Sequence, residues 1–295
     1  MQRALAVLSE IEGFEHPDRI EPLRGLSNRV FLLTVAGEDY VFRLASASAD
    51  RLGISREVEA DVLRLAQASG LGPDVVRYVL PEGHLITRRI PAQPFADEPD
   101  KYRRLEVLRS VVRTVRRVHE LPAMNHVFDP FARIHASFAR AVDRGVALPA
   151  GSDRILQRLD EVETARGPLL PPYLALCHND LFAGNLLDGD PIRLIDWEFA
   201  GMGDVFFDLA TLVVATDESA PLSEAHRGVI LDEYFGRVAP KHERRLDDMV
   251  FVVRLHVVAW GLTHHVLGTP DEHGWPGFTF LGFATELLEQ LIAEL

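Results

Sequence analysis

The sequence predicts an α+β protein in two lobes: a small β-sheet lobe with one helix over residues 1–90, and a larger, mainly helical lobe over 91–295. Three observations predict this. Short β-rich runs separated by turn residues fill the first ninety positions, prolines at 91 and 94 interrupt that pattern, and apolar residues recur at helical spacing through most of the remaining chain.

In chain order, residues 1–10 read as a short amphipathic helix without the long apolar core of a signal peptide. Residues 28–35 and 40–44 are rich in β-formers and flank the turn Ala36-Gly37-Glu38-Asp39, so they predict a hairpin. A helix is expected over 49–68, with Val58, Val62, Leu65 and Ala66 on one stripe, stopped by Gly70-Leu71-Gly72-Pro73. Residues 75–80 and 84–90 form a second hairpin across Pro81-Glu82-Gly83. Beyond the prolines, Tyr102, Leu105, Leu108, Val112, Val115 and Val118 mark one long helix. Further helices are expected at 129–144, 152–165, 223–236, 243–268 and 278–294. One β-rich island, residues 175–196, interrupts them.

Composition narrows the function. There are 31 Lys and Arg against 44 Asp and Glu, a net charge of −13. Nucleic acid and anionic membrane surfaces need a basic face, so neither is the expected partner. The most apolar stretch, 250–262, is broken by Arg254 and His256, so no membrane insertion is expected. The single cysteine, Cys177, excludes an internal disulfide framework, and the expected compartment is a reducing cytoplasm. Oligomeric state is not legible.

The island carries the chemistry. It runs Cys177-His178-Asn179-Asp180-Leu181-Phe182-Ala183-Gly184-Asn185-Leu186-Leu187, then Asp188-Gly189-Asp190-Pro191, then Ile192-Arg193-Leu194-Ile195-Asp196-Trp197-Glu198. Two apolar runs about an Asp-Gly turn read as a hairpin. A turn centred near 190 and 191 places Asn185 opposite Asp196, with Cβ atoms about 4.5–5.5 Å apart. That spacing lets two oxygen ligands share one hard cation such as Mg²⁺. Asp180, on the loop entering the hairpin, is then placed to act as a base. Any one of these residues is explained by a turn or strand-end preference; the combination is much rarer.

His178-Asn179-Asp180 with Asn185, then Ile195-Asp196-Trp197-Glu198, resembles the catalytic and metal-binding motifs of the choline/ethanolamine kinases. That family belongs to the aminoglycoside-phosphotransferase-like kinases, relatives of protein kinases. The resemblance continues through Phe199-Ala200-Gly201-Met202-Gly203-Asp204 to Asp208-Leu209-Ala210 and is closest to the bacterial choline-kinase-like branch. It implies a protein-kinase-like fold with a nucleotide-binding first lobe, ATP and Mg²⁺ as cofactors, and a small-molecule alcohol as acceptor. Asp180 would accept or orient the acceptor's hydroxyl proton, and Asn185 and Asp196 would hold Mg²⁺ on the ATP phosphates.

The resemblance also places a phosphate-covering loop at Gly25-Leu26-Ser27-Asn28 and a phosphate-binding arginine at Arg43. An ordinary turn and an outward-facing arginine are the plain alternatives. Glu57 and Glu59 compete as the partner of Arg43, with Glu59 favoured by its distance from Gly72-Pro73. The adenine would lie near residues 86–92. Asp208 would brace the catalytic loop, although a helix N-cap also explains it. His178 and Glu198 take supporting roles.

For the acceptor, the family often has Trp-x-x-Trp in a C-terminal helix and an acid seven residues after the bracing aspartate. This chain has Trp260 followed by Thr263, and Ala215 at the acidic position. Phe280 and Phe283 offer aromatic surface, and Asp217 or Glu218 could compensate for Ala215. Choline, ethanolamine or a related amino alcohol is the leading acceptor, with thiamine or an aminoglycoside as the alternative. A metal-dependent phosphohydrolase and a catalytically silent nucleotide-binding regulator are the readings from other classes.

Overall fold

Alternating apolar residues build the first sheet of the computed structural model, which describes residues 1–23, 28–46, 49–215, 222–269 and 277–295. The chain divides into two compact units, Met1–Pro91 and Ala92–Leu295.

The first unit holds α1 (Gln2–Leu8), β1 (Arg19–Leu23), β2 (Arg29–Val35), β3 (Glu38–Leu44), α2 (Arg56–Ala68), β4 (Val75–Val79) and β5 (His84–Arg88). The strands form one antiparallel sheet in the order β1-β2-β3-β5-β4. Phe31 and Leu33 on β2 and Phe42 and Leu44 on β3 point to one face. There they bury with Ala4, Leu8, Ile11 and Phe14 from the α1 segment. The two-residue period then turns Arg43 to the opposite face. β1 was not expected; its Pro22 is tolerated because β1 lies at the sheet edge. The helix expected over 49–68 is split. A single turn covers Asp50–Leu52, and α2 begins only after Ser55, whose side chain accepts the Val58 N–H.

The second unit contains β6 (Gln93–Pro94), α3 (Pro99–Tyr102), α4 (Leu105–His119), α5 (Pro130–Asp143), α6 (Ser152–Arg166), β7 (Leu174–Cys177), β8 (Leu186–Asp188), β9 (Arg193–Leu194), β10 (Gly201–Asp204), α7 (Val205–Val214), α8 (Glu224–Phe235), α9 (Pro240–Val266) and α10 (Phe280–Ala293). The one long helix expected from Tyr102 is two, because the chain breaks at Arg103 and Arg104. Tyr102 closes α3 with its ring fully buried and its hydroxyl donating to the Leu212 carbonyl at 2.9 Å. Side-chain caps mark the starts of α5, α7 and α10: Asp129 receives the N–H groups of Phe131 and Ala132, Asp204 that of Phe206, and Thr279 that of Gly282.

Every residue of α7 is buried, Asp208 included, and α9 packs against α5, α7 and α10. By length and composition α9 could cross a membrane, but 72% of its most apolar window is buried inside the fold, as befits a core helix. Two small sheets, β10-β7 and β6-β8-β9, lie among the helices. They present the segments that carry Asp180 and Asp196.

Candidate active site

In the first unit, Arg43 on β3 meets Glu59 on α2 through two hydrogen bonds, Nη1 to Oε1 and Nη2 to Oε2, the second at 2.9 Å. Glu57, the competing partner, sits in the exposed first turn of α2, and the Ser55 hydroxyl donates to it instead. Glu59 also accepts from Arg56 Nη1 at 2.8 Å and from the Tyr78 hydroxyl at 2.6 Å. Arg43 Nη2 donates further to the Gly83 carbonyl at 3.0 Å. Gly83 has φ +81°, and a Cβ there would come within 2.3 Å of Arg56 Cδ, so a glycine is needed for the Arg56 side chain to reach Glu59. Burial alone would raise the Glu59 carboxyl, but the two guanidiniums and the Tyr78 hydroxyl outweigh it and hold it below the usual range. Asn28 is buried, and its Oδ1 accepts the Ser46 N–H at 3.3 Å. Gly25 and Ser27 lie outside the described residues.

In the second unit, β7 ends at Cys177 and leads into His178, Asn179 and Asp180. Asp208 on α7 receives the backbone N–H of His178 at 2.9 Å and that of Asn179 at 2.7 Å. Asp204, not Asp208, caps α7, so the capping alternative for Asp208 is set aside. Asn179 is held at φ +64°, and its side-chain Nδ2 donates to the Phe199 carbonyl at 3.0 Å. His178 is fully buried with Nε2 3.1 Å from the Ile195 carbonyl, so Nε2 is the donor. Loss of hydration pushes its pKa down to about 4, so it is neutral at pH 7. Both residues thereby tie the segment carrying Asp180 to the segment carrying Asp196.

Asn185 Nδ2 donates to Asp180 twice, to the backbone carbonyl at 2.8 Å and to Oδ2 at 2.7 Å. With that nitrogen engaged, the amide oxygen is the atom of Asn185 left for a cation. The hairpin differs from expectation by one position. Leu186 pairs with Leu194, and the Ile195 N–H donates to the Asn185 carbonyl at 3.1 Å, so Asn185 faces Ile195 and not Asp196. Asp196 follows at φ +62°, where the strand has ended. Glu198 is buried in the turn Trp197–Phe199.

Asp180, Asp196, Glu198 and the Asn185 amide offer oxygen donors of the kind hard divalent cations take. Lost hydration first, and the Glu198 charge second, push the Asp180 carboxyl up to about 7 against the opposing hydrogen bond from Asn185. Negative charge is thus under-compensated at this point, which a bound cation would relieve. The residues present fit Mg²⁺.

The expected acceptor residues are on the same unit. Trp260 packs against His264, Phe280 and Phe283, the last two on α10, and the Thr263 hydroxyl donates to Ser137 at 2.9 Å on α5. Ala215 lies against the segment that follows Asp180, its carbonyl accepting the Ala183 N–H at 3.0 Å. Asp217 and Glu218 lie outside the described residues. The sequence reading passed over Arg56, Tyr78 and His119, and quoted Asn179 in the motif without giving it a role of its own. Arg56 had a signal, its i,i+3 spacing from Glu59; His119, 89 positions from its partner Asp208, had none.

The profile described as APH, phosphotransferase enzyme family, matches residues 19–245. Protein LicA of Haemophilus influenzae is 26% identical over 268 residues, spanning 88% of this chain and 76% of LicA. A solved choline/ethanolamine kinase family protein from Mesorhizobium loti superposes with a TM-score of 0.79 at 27% identity, covering 99% of this chain and 93% of that one. A solved LicA in complex with AMP shares the fold, with a TM-score of 0.72 at 17% identity and 98% coverage of both chains.

Proposed function

The chain belongs to the phosphotransferase enzyme family and is a small-molecule kinase, and from that premise we propose that it moves the γ-phosphate of ATP to the hydroxyl of an amino alcohol, choline and ethanolamine first among them. The observation that carries the reading is the Asp180 carboxylate, fixed by the Asn185 amide on a segment tied through His178 and Asn179 to the one carrying Asp196.

Phosphoryl transfer depends on alignment and charge neutralisation more than on covalent work by the protein. In this reading Asp180 orients the acceptor hydroxyl and takes its proton, a role for which a pKa near neutrality is well matched. Asn185 and Asp196 would hold Mg²⁺, which when bound would neutralise charge on the nucleotide phosphates. Arg43, kept in place by Glu59, would donate to phosphate oxygens, and Asn28 would help to cover them. Glu198 and Asp208 support the two acidic segments. This use of ATP suits the cytoplasm. The acidic balance of the chain suits a cationic acceptor and leaves phosphate neutralisation to the metal and Arg43.

A coupled ADP-release screen over choline, ethanolamine, other amino alcohols, thiamine and aminoglycosides, with Asp180→Asn as the blank, tests this. Alcohol-dependent ADP release led by an amino alcohol is expected. Thiamine or an aminoglycoside as the best acceptor overturns the substrate class. ADP release independent of any alcohol returns the phosphohydrolase reading, and Mg·ATP binding without transfer to any alcohol returns the silent regulator.

A further inference from the structure

The hairpin between Asn185 and Asp196 is short. β8 spans Leu186–Asp188 and β9 only Arg193–Leu194, and Asn185 and Asp196 flank the same end of it. A two-stranded hairpin of this length does not fix its own position, so its surroundings decide where it stands.

The stretch from Gln93 to Tyr102 supplies those surroundings. β6 pairs with β8, Gln93 opposite Asp188 and Pro94 opposite Leu187. Within β6 only Gln93 carries a backbone N–H, because Pro94 has none, so this ladder is a weak hold. The turn Phe95–Asp97 then packs against the turn Ala183–Asn185, with the Phe95 ring buried. Finally Lys101 on α3 reaches β8. Its Nζ donates to Asp188 Oδ2, and Glu98 Oε2 lies 3.8 Å from the same nitrogen. Tyr102, next to Lys101, is fully buried with its ring centroid 5.8 Å from that of Phe95 and its hydroxyl on the Leu212 carbonyl. The ammonium therefore stands on an anchored platform.

We infer that Lys101 and Asp188 are a positioning pair for the metal site, clamping β8 so that Asn185 stands where one cation can take both it and Asp196. The two ligands are held by different means. Asn185 runs directly into β8 and moves with it. Asp196 lies beyond the paired residues at φ +62°, between the Ile195 and Phe199 carbonyls held by His178 and Asn179. If β8 slides against β6, Asn185 follows and Asp196 does not. A charge-assisted bond from α3 to the last residue of β8 opposes that slide. The Lys101 and Asp188 side chains are 34% and 24% exposed, so the pair adds little to global stability and its signature is local. Neither residue is a ligand; both act through the hairpin.

The inference rests on the roles proposed for Asn185 and Asp196, and a binding measurement separates it from them. The variants are Lys101→Met, Lys101→Arg, Asp188→Asn and the double Lys101→Met/Asp188→Asn. At saturating ATP and acceptor, Lys101→Met should need about fivefold more Mg²⁺ for half-maximal rate, the reach of a partly exposed ion pair. Its kcat at saturating Mg²⁺ and its acceptor KM should stay within about twofold of wild type. Asp188→Asn should match it, the double variant should lose no more than either alone, and Lys101→Arg should recover most of the loss. Titration of the ADP-bound protein with Mn²⁺, read by electron paramagnetic resonance, should show the same weakening of about fivefold with no turnover involved. An unchanged metal requirement in Lys101→Met, a loss confined to kcat or acceptor KM, additive losses in the double variant, or no recovery in Lys101→Arg would each overturn the pair. If wild type phosphorylates no alcohol, the function reading fails and the Mn²⁺ titration still decides the pair. A wild type that binds no Mn²⁺ overturns the pair together with the metal site.

Discussion

Arg43 and Glu59 face each other through two hydrogen bonds inside the N-terminal unit, with side chains only 7% and 0% exposed. A two-pronged guanidinium–carboxylate pair is directional, so it aims Arg43 as well as neutralising it.

Removing Glu59 leaves two buried arginines facing an amide. Glu59→Gln should lower unfolding free energy by about 3–5 kcal/mol at pH 7, the usual cost of breaking a buried ion pair from one side. The sign with pH comes from the depressed pKa. In the wild type the stabilisation is fully present above the unfolded-state carboxyl value of about 4.3 and is lost as pH falls through the lower folded value. The gap between wild type and Glu59→Gln should therefore close on acidification. Urea unfolding from pH 8 to pH 3 checks this; equal midpoints at pH 7 would refute it.

Asp180 presents the opposite balance. Its carboxyl is pushed up to about 7 by lost hydration and by Glu198, so the ionised form is held at a cost in stability. Asp180→Asn should reduce turnover by about 10²–10⁴-fold, the span of a lost general base, while raising the thermal midpoint of the metal-free protein at pH 8. Asp196→Ala should abolish turnover and leave the fold intact. Parallel calorimetry and ADP-release assays decide the matter, and an Asp180→Asn protein that is both active and less stable contradicts it.

The α+β class and the helical second unit were readable because apolar spacing is a local property. So was the island, where Asp180, Asn185 and Asp196 occur within 17 positions. What escaped was set by geometry that spacing does not encode. The hairpin register stops at Ile195 because Asp196 turns left-handed, and Tyr102 fits the stripe of α4 yet belongs to α3. β1 was hidden by Pro22, acceptable only because that strand pairs on one side. His119 and Tyr234 converge with Asp208 through the packing of α4, α7 and α8, a relationship no window of sequence contains.

Ala215 offers a test of acceptor choice. Its carbonyl receives the Ala183 N–H, which puts it beside the segment that follows Asp180, and its own side chain contributes no charge. Ala215→Glu should improve kcat/KM for a quaternary ammonium alcohol by about tenfold, the worth of about 1.4 kcal/mol of charge attraction, and leave a neutral alcohol unimproved. Competition assays with choline and its neutral carbon analogue measure the difference. Equal effects on both acceptors would show that this position does not face the ammonium group.

Asn179 combines strain and grip, and substitution can separate them. Its left-handed backbone costs about 1–2 kcal/mol for any residue with a Cβ, and its side chain links the Phe199 carbonyl to the turn before Asp180. Space around it is tight: a Cβ at Gly203 would sit 3.2 Å from Asn179 Oδ1. Asn179→Gly relieves the strain but loses the link; Asn179→Ala loses the link and keeps the strain. The two variants should show the same reduced kcat, because both free Phe199. Their stabilities should differ by about 1 kcal/mol in favour of glycine. Urea unfolding with single-turnover kinetics distinguishes the two quantities. If kcat follows stability across the pair, Asn179 acts only by holding the fold; if kcat is equal while stability differs, the side-chain link itself aligns Asp180 with Asp196.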